Sequence, residues 1–273
     1  MKIYIGTSGW QYYHWKGKFY PENLASKDFL KFYAKHFNTV EINTSFYHFT
    51  KKETFEKWKK EIADLRRTNA DLRRINADLC RTDSELRRKK LNIDFLFSVK
   101  LHRLFTHFRR LKLNKEDKKL LLETIQTYKV LNENLGPILI QLPPGLKYNL
   151  KLLKSFINAI KKIKKIKFTI EFRHKTWLNK KVYALLKKYK IAFVISDSPR
   201  WPTDYIKTAN FVYVRFHGKP KLFASKYSEK ELEEYINKIK KLKPKELYIY
   251  FNNDFEGYAI ENALFVKKLL KKE

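Results

Sequence analysis

The sequence predicts an α/β protein, a (β/α)8 TIM-type barrel built from residues 1–273 with a helical insertion between its second and third strands. Three observations carry the expectation. Eight short apolar runs recur along the chain, helix-period stretches fill most connections between them, and within the runs apolar and polar residues alternate with period two. Strands that alternate with helices need crossovers, and crossovers make a parallel sheet. Eight repeats suggest closure into a barrel; an open doubly wound sheet is the runner-up.

The runs in chain order are Lys2 to Ile5, Thr39 to Asn43, Phe95 to Lys100, Pro137 to Leu142, Lys167 to Arg173, Ile191 to Asp197, Phe211 to His217 and Glu246 to Asn252. Helical periodicity appears over Asp28 to His36, Lys115 to Asn132, Leu150 to Ile163, Lys180 to Tyr189, Ser228 to Leu242 and Gly257 to Leu270. The sixth connection, Ser198 to Asn210 with Pro199 and Pro202, has room only for a loop or one helical turn, so the barrel is expected to be slightly irregular around strand 6.

The second connection is too long for a barrel spacing. It contains four heptads over residues 63–90 that keep Leu65, Leu72, Leu79 and Leu86 on one seam. The other seam, Thr68, Ile75, Thr82 and Lys89, is poor for a stable coiled coil. Removing these 28 residues shortens the distance between the second and third strand starts from 56 to 28 residues. The segment therefore reads as an inserted helix, about 40 Å long at 1.5 Å per residue, that prolongs an existing one. Seven of the 13 Arg and the single Cys80 fall inside it, which sets it apart in composition.

The formal net charge of +32 comes mainly from 47 Lys spread over the whole length. A charge of that size invites nucleic acid as a partner, whereas its even spread reads as a compositional bias of the chain. One cysteine permits no internal disulfide and points to a reduced, cytoplasmic compartment. No run approaches the length of a membrane span, so no membrane partner is expected.

In a closed barrel the apolar parity packs against the helices and the polar parity points inward. Glu41 and Asn43, Ser98 and Lys100, Gln141, Glu171 and Arg173, Arg215 and His217, and Asn252 then converge at the C-terminal strand ends, where barrel active sites are built. Glu41 and Glu171 are the acid/base candidates and His217 the best histidine, with His107 and His174 behind it; His36 and His48 read as structural or surface residues. Lys100, Arg173 and Arg215 would hold charge on a polar or anionic ligand, and Asn43, Gln141, Asp197, Asn252 and Asn253 would orient it. Trp10, Trp15, Trp177 and Trp201 follow strands, together with Tyr12, Tyr13 and Tyr47. Of these, Trp10, Tyr47 and Trp177 are candidates to stack on a ligand, with packing over the barrel rim as the competing reading. A divalent metal held by Glu41, Glu171, Asp197 and His217 is chemically reasonable but not favoured, because no ligand motif of fixed spacing is present. Neither a phosphate-binding glycine loop, nor a dinucleotide fingerprint, nor a nucleophile elbow can be found, and the cofactor stays unspecified.

At these residues the chain resembles the YecE-like domain-of-unknown-function family, number 72 in its series. The resemblance rests on Gly6-Thr7-Ser8-Gly9-Trp10, Asn38-Thr39-Val40-Glu41-Ile42-Asn43, Phe97-Ser98-Val99-Lys100, Gln141-Leu142-Pro143-Pro144, Glu171-Phe172-Arg173-His174, Arg215-Phe216-His217-Gly218 and Phe251-Asn252-Asn253-Asp254, in that order. It implies a TIM-type barrel without an established activity, and residues 63–90 depart from it. The reading that follows is an enzyme of hydrolase or lyase type acting on a polar, anionic or nucleotide-like small molecule at the barrel mouth. The alternatives are a nucleic-acid binding protein that uses its Lys-rich surface and an interaction protein that uses its heptad arm.

Overall fold

A computed structural model describes residues 1–79 and 94–271. Eight parallel strands form one sheet in the order β1-β8-β7-β6-β5-β4-β3-β2. They are β1 (Lys2–Thr7), β2 (Thr39–Ile42), β3 (Leu96–Lys100), β4 (Leu135–Gln141), β5 (Phe168–Glu171), β6 (Ala192–Asp197), β7 (Phe211–Phe216) and β8 (Glu246–Phe251). Each lies inside or within two residues of a run predicted from the sequence, and the fold is the (β/α)8 barrel. Around it stand α1 (Phe29–His36), the short α2 (Thr44–Tyr47), α3 (Lys52–Leu79), α4 (Lys115–Tyr128), α5 (Leu150–Ile160), α6 (Lys180–Tyr189), α7 (Glu229–Lys240) and α8 (Tyr258–Leu269). Side-chain caps start several of them: Asn114 and Ser228 form capping boxes with Asp117 and Glu231, and Asn149 and Asn179 cap α5 and α6.

Closure occurs at the seam between β1 and β2, which exchange only an isolated bridge, Ser8 with Glu41. Side chains supply the missing ladder. The Asn38 amide accepts from the Ile5 N–H at 2.9 Å and donates to the Ile3 carbonyl at 2.7 Å, and Tyr33 accepts from the Thr7 N–H. Gly6 permits the close approach, since a Cβ there would lie 2.0 Å from the Thr39 carbonyl oxygen.

The period-two parity divides the core in two. Val40, Ile42, Phe97, Val99, Ile138, Ile140, Ile170, Val214 and Ile249 face the helices in one large apolar layer. The barrel interior is filled at its lower end by a separate cluster that includes Tyr4, Leu96, Leu139, Val194, Phe211, Tyr213, Tyr248 and Tyr250. The sixth connection has no helix, as expected. Thr203 and Thr208 of this loop instead accept from the Ser196 and Phe193 N–H groups of β6, where the pairing with β5 is short. α3 runs unbroken from Lys52 to Leu79 and so carries the beginning of the heptad repeat as a continuation of an existing helix. The rest of the repeat, with Cys80, Thr82, Leu86 and Lys89, lies outside the described residues. Among those residues no helix is long and apolar enough to cross a membrane.

Candidate functional site

Above the tyrosine layer the inward side chains become charged, and Arg215 stands at their centre. Its Nη2 donates to Glu41 Oε1 at 2.7 Å and its Nη1 to Glu171 Oε2 at 2.5 Å, so one guanidinium from β7 ties β2 to β5 across the barrel. Glu41 also accepts from Ser8 Oγ at 2.6 Å and Tyr213 OH at 2.7 Å. Glu171 accepts from Arg173 Nε at 2.6 Å, and Arg173 Nη2 donates to Gln141 Oε1 at 2.8 Å. Arg215 is 1 % exposed and both carboxylates are fully buried. Burial alone would raise the two carboxyls, but the Arg215 charge overcomes it, assisted at Glu171 by Arg173 and at Glu41 by hydrogen bonds from Ser8 and Tyr213. Glu41 is held below the ordinary carboxylate range and Glu171 well below it. The same two carboxylates outweigh burial at Arg215 and raise it above an ordinary guanidinium.

Over this network opens a cavity of about 820 Å³ at the C-terminal strand ends, within the size range of small-molecule sites. Asn43, Lys100, Gln141, Arg173, Arg215 and Asn252 reach its wall, as does Tyr47 from the rim. Glu41 and Glu171 lie beneath it, ionised and saturated with donors. Each carboxylate therefore holds Arg215 in place from below the wall. His217 is also buried out of the wall, with Nε2 3.3 Å from Arg215 Nη1 and Nδ1 3.1 Å from Asn252 Nδ2. Burial and the adjacent Arg215 push it down to about 4, so it is neutral at pH 7.

Lys100 differs from Arg173 and Arg215, whose guanidiniums are held by carboxylates. Its Nζ lies 3.9 Å from the centroid of the Phe46 ring, and among the described residues it makes no hydrogen bond or ion pair. Burial, then Arg215 and Arg173, lower it to about 7 against the opposing pull of Glu41 and Glu171. The ring face favours the ammonium by about 0.5–2 kcal/mol, too little to offset two neighbouring guanidiniums and the loss of water. His107, which also lines the cavity, is lowered to about 4 by burial and by Lys100 and Arg173. Two polar atoms of the cavity-lining residues lack partners, the buried Asn43 Oδ1 and Arg215 Nε, and outside the wall Asn253 Oδ1 lacks one as well.

Four expected site residues serve packing instead. Asp197 has outward parity in β6; its carboxylate accepts from Tyr227, Tyr235 and Lys219 on the helix side of the sheet. Asn253 is buried, with Nδ2 on the Ser225 carbonyl and Asn262 Oδ1. Trp177 donates to the Leu146 carbonyl and stacks on Phe172, while Trp10 packs edge-on against Trp58. Trp10 and Trp177 turn into the apolar layer, whereas Asp197 and Asn253 are held by polar partners away from the cavity wall. The remaining tryptophans support the site from behind. Trp201 holds the Arg173 guanidinium 4.0 Å from its ring centroid, and Trp15 Nε1 donates to Asp254 Oδ1. His174 caps the turn at Thr176. For the metal expectation, Asp197 faces away and Arg215 occupies both glutamates; among the described residues no three His, Cys, Asp or Glu side chains are grouped to hold an ion.

Sequence reasoning missed Arg103, Phe108, Phe223, Asp254 and Phe255, which all lie on the cavity wall. They come from loops beyond the strand ends, where period-two parity no longer applies. Asp254 is pushed up to about 6 by burial against the donors Trp15 and His14.

The same barrel occurs in known proteins. The chain is 24% identical over 301 residues to UPF0759 protein YunF of Bacillus subtilis, with 98% of this chain and 94% of that protein aligned. Among solved structures, a DUF72 family protein from Thermotoga maritima superposes with a TM-score of 0.76 at 28% identity, covering 99% of this chain and 100% of the other. One from Enterococcus faecalis gives a TM-score of 0.72 at 20% identity over 98% and 95%, a likeness of fold. The model of the family described as "Protein of unknown function DUF72" matches residues 4–69 and 81–273, on either side of a gap inside the heptad repeat. The chain belongs to the DUF72 family.

Proposed function

We propose that the barrel mouth is the active site of an enzyme that binds a small anionic molecule and acts on it by hydrolase- or lyase-type chemistry. One observation carries this reading: Lys100, Arg103, Arg173 and Arg215 converge on the cavity wall, where Asp254 is the only carboxylate among the described residues. Glu41 and Glu171 beneath balance Arg173 and Arg215, and Lys100 and Arg103 against Asp254 leave the wall with net positive charge in a partly dry site, where Coulomb attraction is stronger than in water. Arg173, clamped by Glu171, Gln141 and Trp201, is a preorganised donor for a carboxylate or phosphate group. Tyr47, Phe108, Phe223 and Phe255 are exposed around the opening and would cover the apolar part of the ligand. In the same reading residues 63–90 are an addition to a single barrel domain, remote in kind from this chemistry.

Calorimetric titration with oxalate and with inorganic phosphate tests the anion site. Arg173→Met is expected to weaken binding of the better of the two at least about tenfold, the loss of one charge-assisted contact. Equal affinity in the two proteins, or no binding of either anion to the parent chain, would overturn the reading.

A further inference from the structure

We propose that Lys100 is an amine nucleophile that condenses with the carbonyl carbon of a small anionic aldehyde or ketone held against Arg173 and Arg215. The inference rests on the anion-binding reading of the mouth and adds the substrate class and the covalent step.

Geometry sets Lys100 apart among the described lysines. It ends β3 at the floor of the cavity and is 7 % exposed. Three half-buried lysines, by contrast, are paired: Lys167 with Glu246, Lys219 with Asp197, and Lys267 with the His36 carbonyl. Lys100 has only the Phe46 ring. The charged and titratable groups around it come from every adjoining element: Glu41 on β2, His107 after β3, Glu171 and Arg173 at the end of β5, and Arg215 on β7. The two carboxylates are occupied by the arginines, so none is free to hold an ammonium. An amine with a lone pair beside two guanidiniums, in a cavity that excludes part of the solvent, matches the way reactive lysines are activated. The lowering of Lys100 to about 7 agrees with that placement.

The neighbouring groups fit the reaction. The lone pair of Nζ forms the C–N bond while the carbonyl π pair moves to oxygen. The two amine protons pass to that oxygen, which leaves as water as the C=N bond forms. Asn43 Oδ1, buried on the wall of the same cavity without a donor, supplies an acceptor for the intermediate hydroxyl. The imine once formed withdraws electrons from the adjacent carbon, which is the requirement for breaking a bond there and therefore favours the lyase side of the proposed chemistry.

The test treats the full chain at pH 7 with glyoxylate and cyanoborohydride and maps modified lysines by peptide mass. Oxalate binding is measured on the same preparation by calorimetry. Lys100 is expected to be modified about tenfold faster than the other lysines, with half-maximal rate near pH 7, and to be protected by oxalate. If oxalate binds but Lys100 reacts no faster than surface lysines, the imine is excluded and the anion site stands. If oxalate does not bind, the reading of the mouth fails, and this inference with it.

Discussion

The two ends of the barrel interior are built by the same eight strands and hold opposite kinds of matter. At the lower end Tyr4 stacks on Tyr248 at 4.8 Å, Tyr213 lies against Tyr250 at 4.9 Å, and the Tyr250 hydroxyl meets Thr39 Oγ1 at 2.7 Å. Ring area fills the space, and the hydroxyls have partners. At the upper end Arg215, Glu41 and Glu171 consume one another, while Lys100, Asn43 Oδ1 and Arg215 Nε are left over. The lower end is finished by the protein alone. The upper end is not, and in the proposed reading a ligand completes it; this contrast locates the site better than any single residue does.

Substitutions can break or sharpen the contrast. The largest effect is expected at Arg215→Met, which leaves buried Glu41 without an ionic partner and Glu171 with Arg173 alone, and should destabilise by about 3–5 kcal/mol in chemical denaturation. A loss below about 1 kcal/mol would mean that the network is not structural. Lys100→Met should act in the opposite direction, stabilising by about 0.5–2 kcal/mol, because it removes a desolvated amine with no acceptor and leaves an unbranched apolar chain one atom shorter. Such a gain would mark the strain that an active site retains; a clear loss would assign Lys100 to the structural network. Tyr250→Phe, at the lower end, should cost about 0.5–1.5 kcal/mol, one neutral hydrogen bond. Tyr47→Ala on the exposed rim should change stability by less than about 0.5 kcal/mol while weakening ligand binding.

The pH dependence separates the two ends further. Folded Lys100 titrates at about 7 against an ordinary 10.5, so between these values the unfolded chain holds more protons and folding stability rises with pH. The advantage of Lys100→Met over the parent should therefore be full below pH 7 and fade as pH approaches 10.5. Glu41 and Glu171, held below their ordinary values, contribute stability above the ordinary carboxylate range and lose it on acidification. Denaturation curves of both proteins from pH 3 to 10 check both signs.

Period two made the strands and the inward parity of Glu41, Lys100, Glu171, Arg173 and Arg215 legible in the sequence, because a side chain in a sheet has only two directions. The state of those groups was not legible. That Arg215 bridges both glutamates, and that Lys100 is left without an acceptor, depends on distances across the barrel between strands far apart in the chain. Past the strand ends parity fails, so Trp10, Trp177 and Asn253 looked like wall residues and are packing residues, while Asp254 and Phe255 went unseen. Asp197 failed for a different reason. It ends its strand as Glu171 ends β5, but Phe193 and Ile195 share its parity and face the helices, so the alternation itself placed it outside.

The ionisation of Lys100 followed by NMR, on protein carrying isotope-labelled lysine, tests most directly whether the upper end is left open for a ligand. A midpoint near pH 7 that moves upward when oxalate is added is the expected result. A midpoint near 10.5, or one that oxalate leaves unmoved, would contradict it.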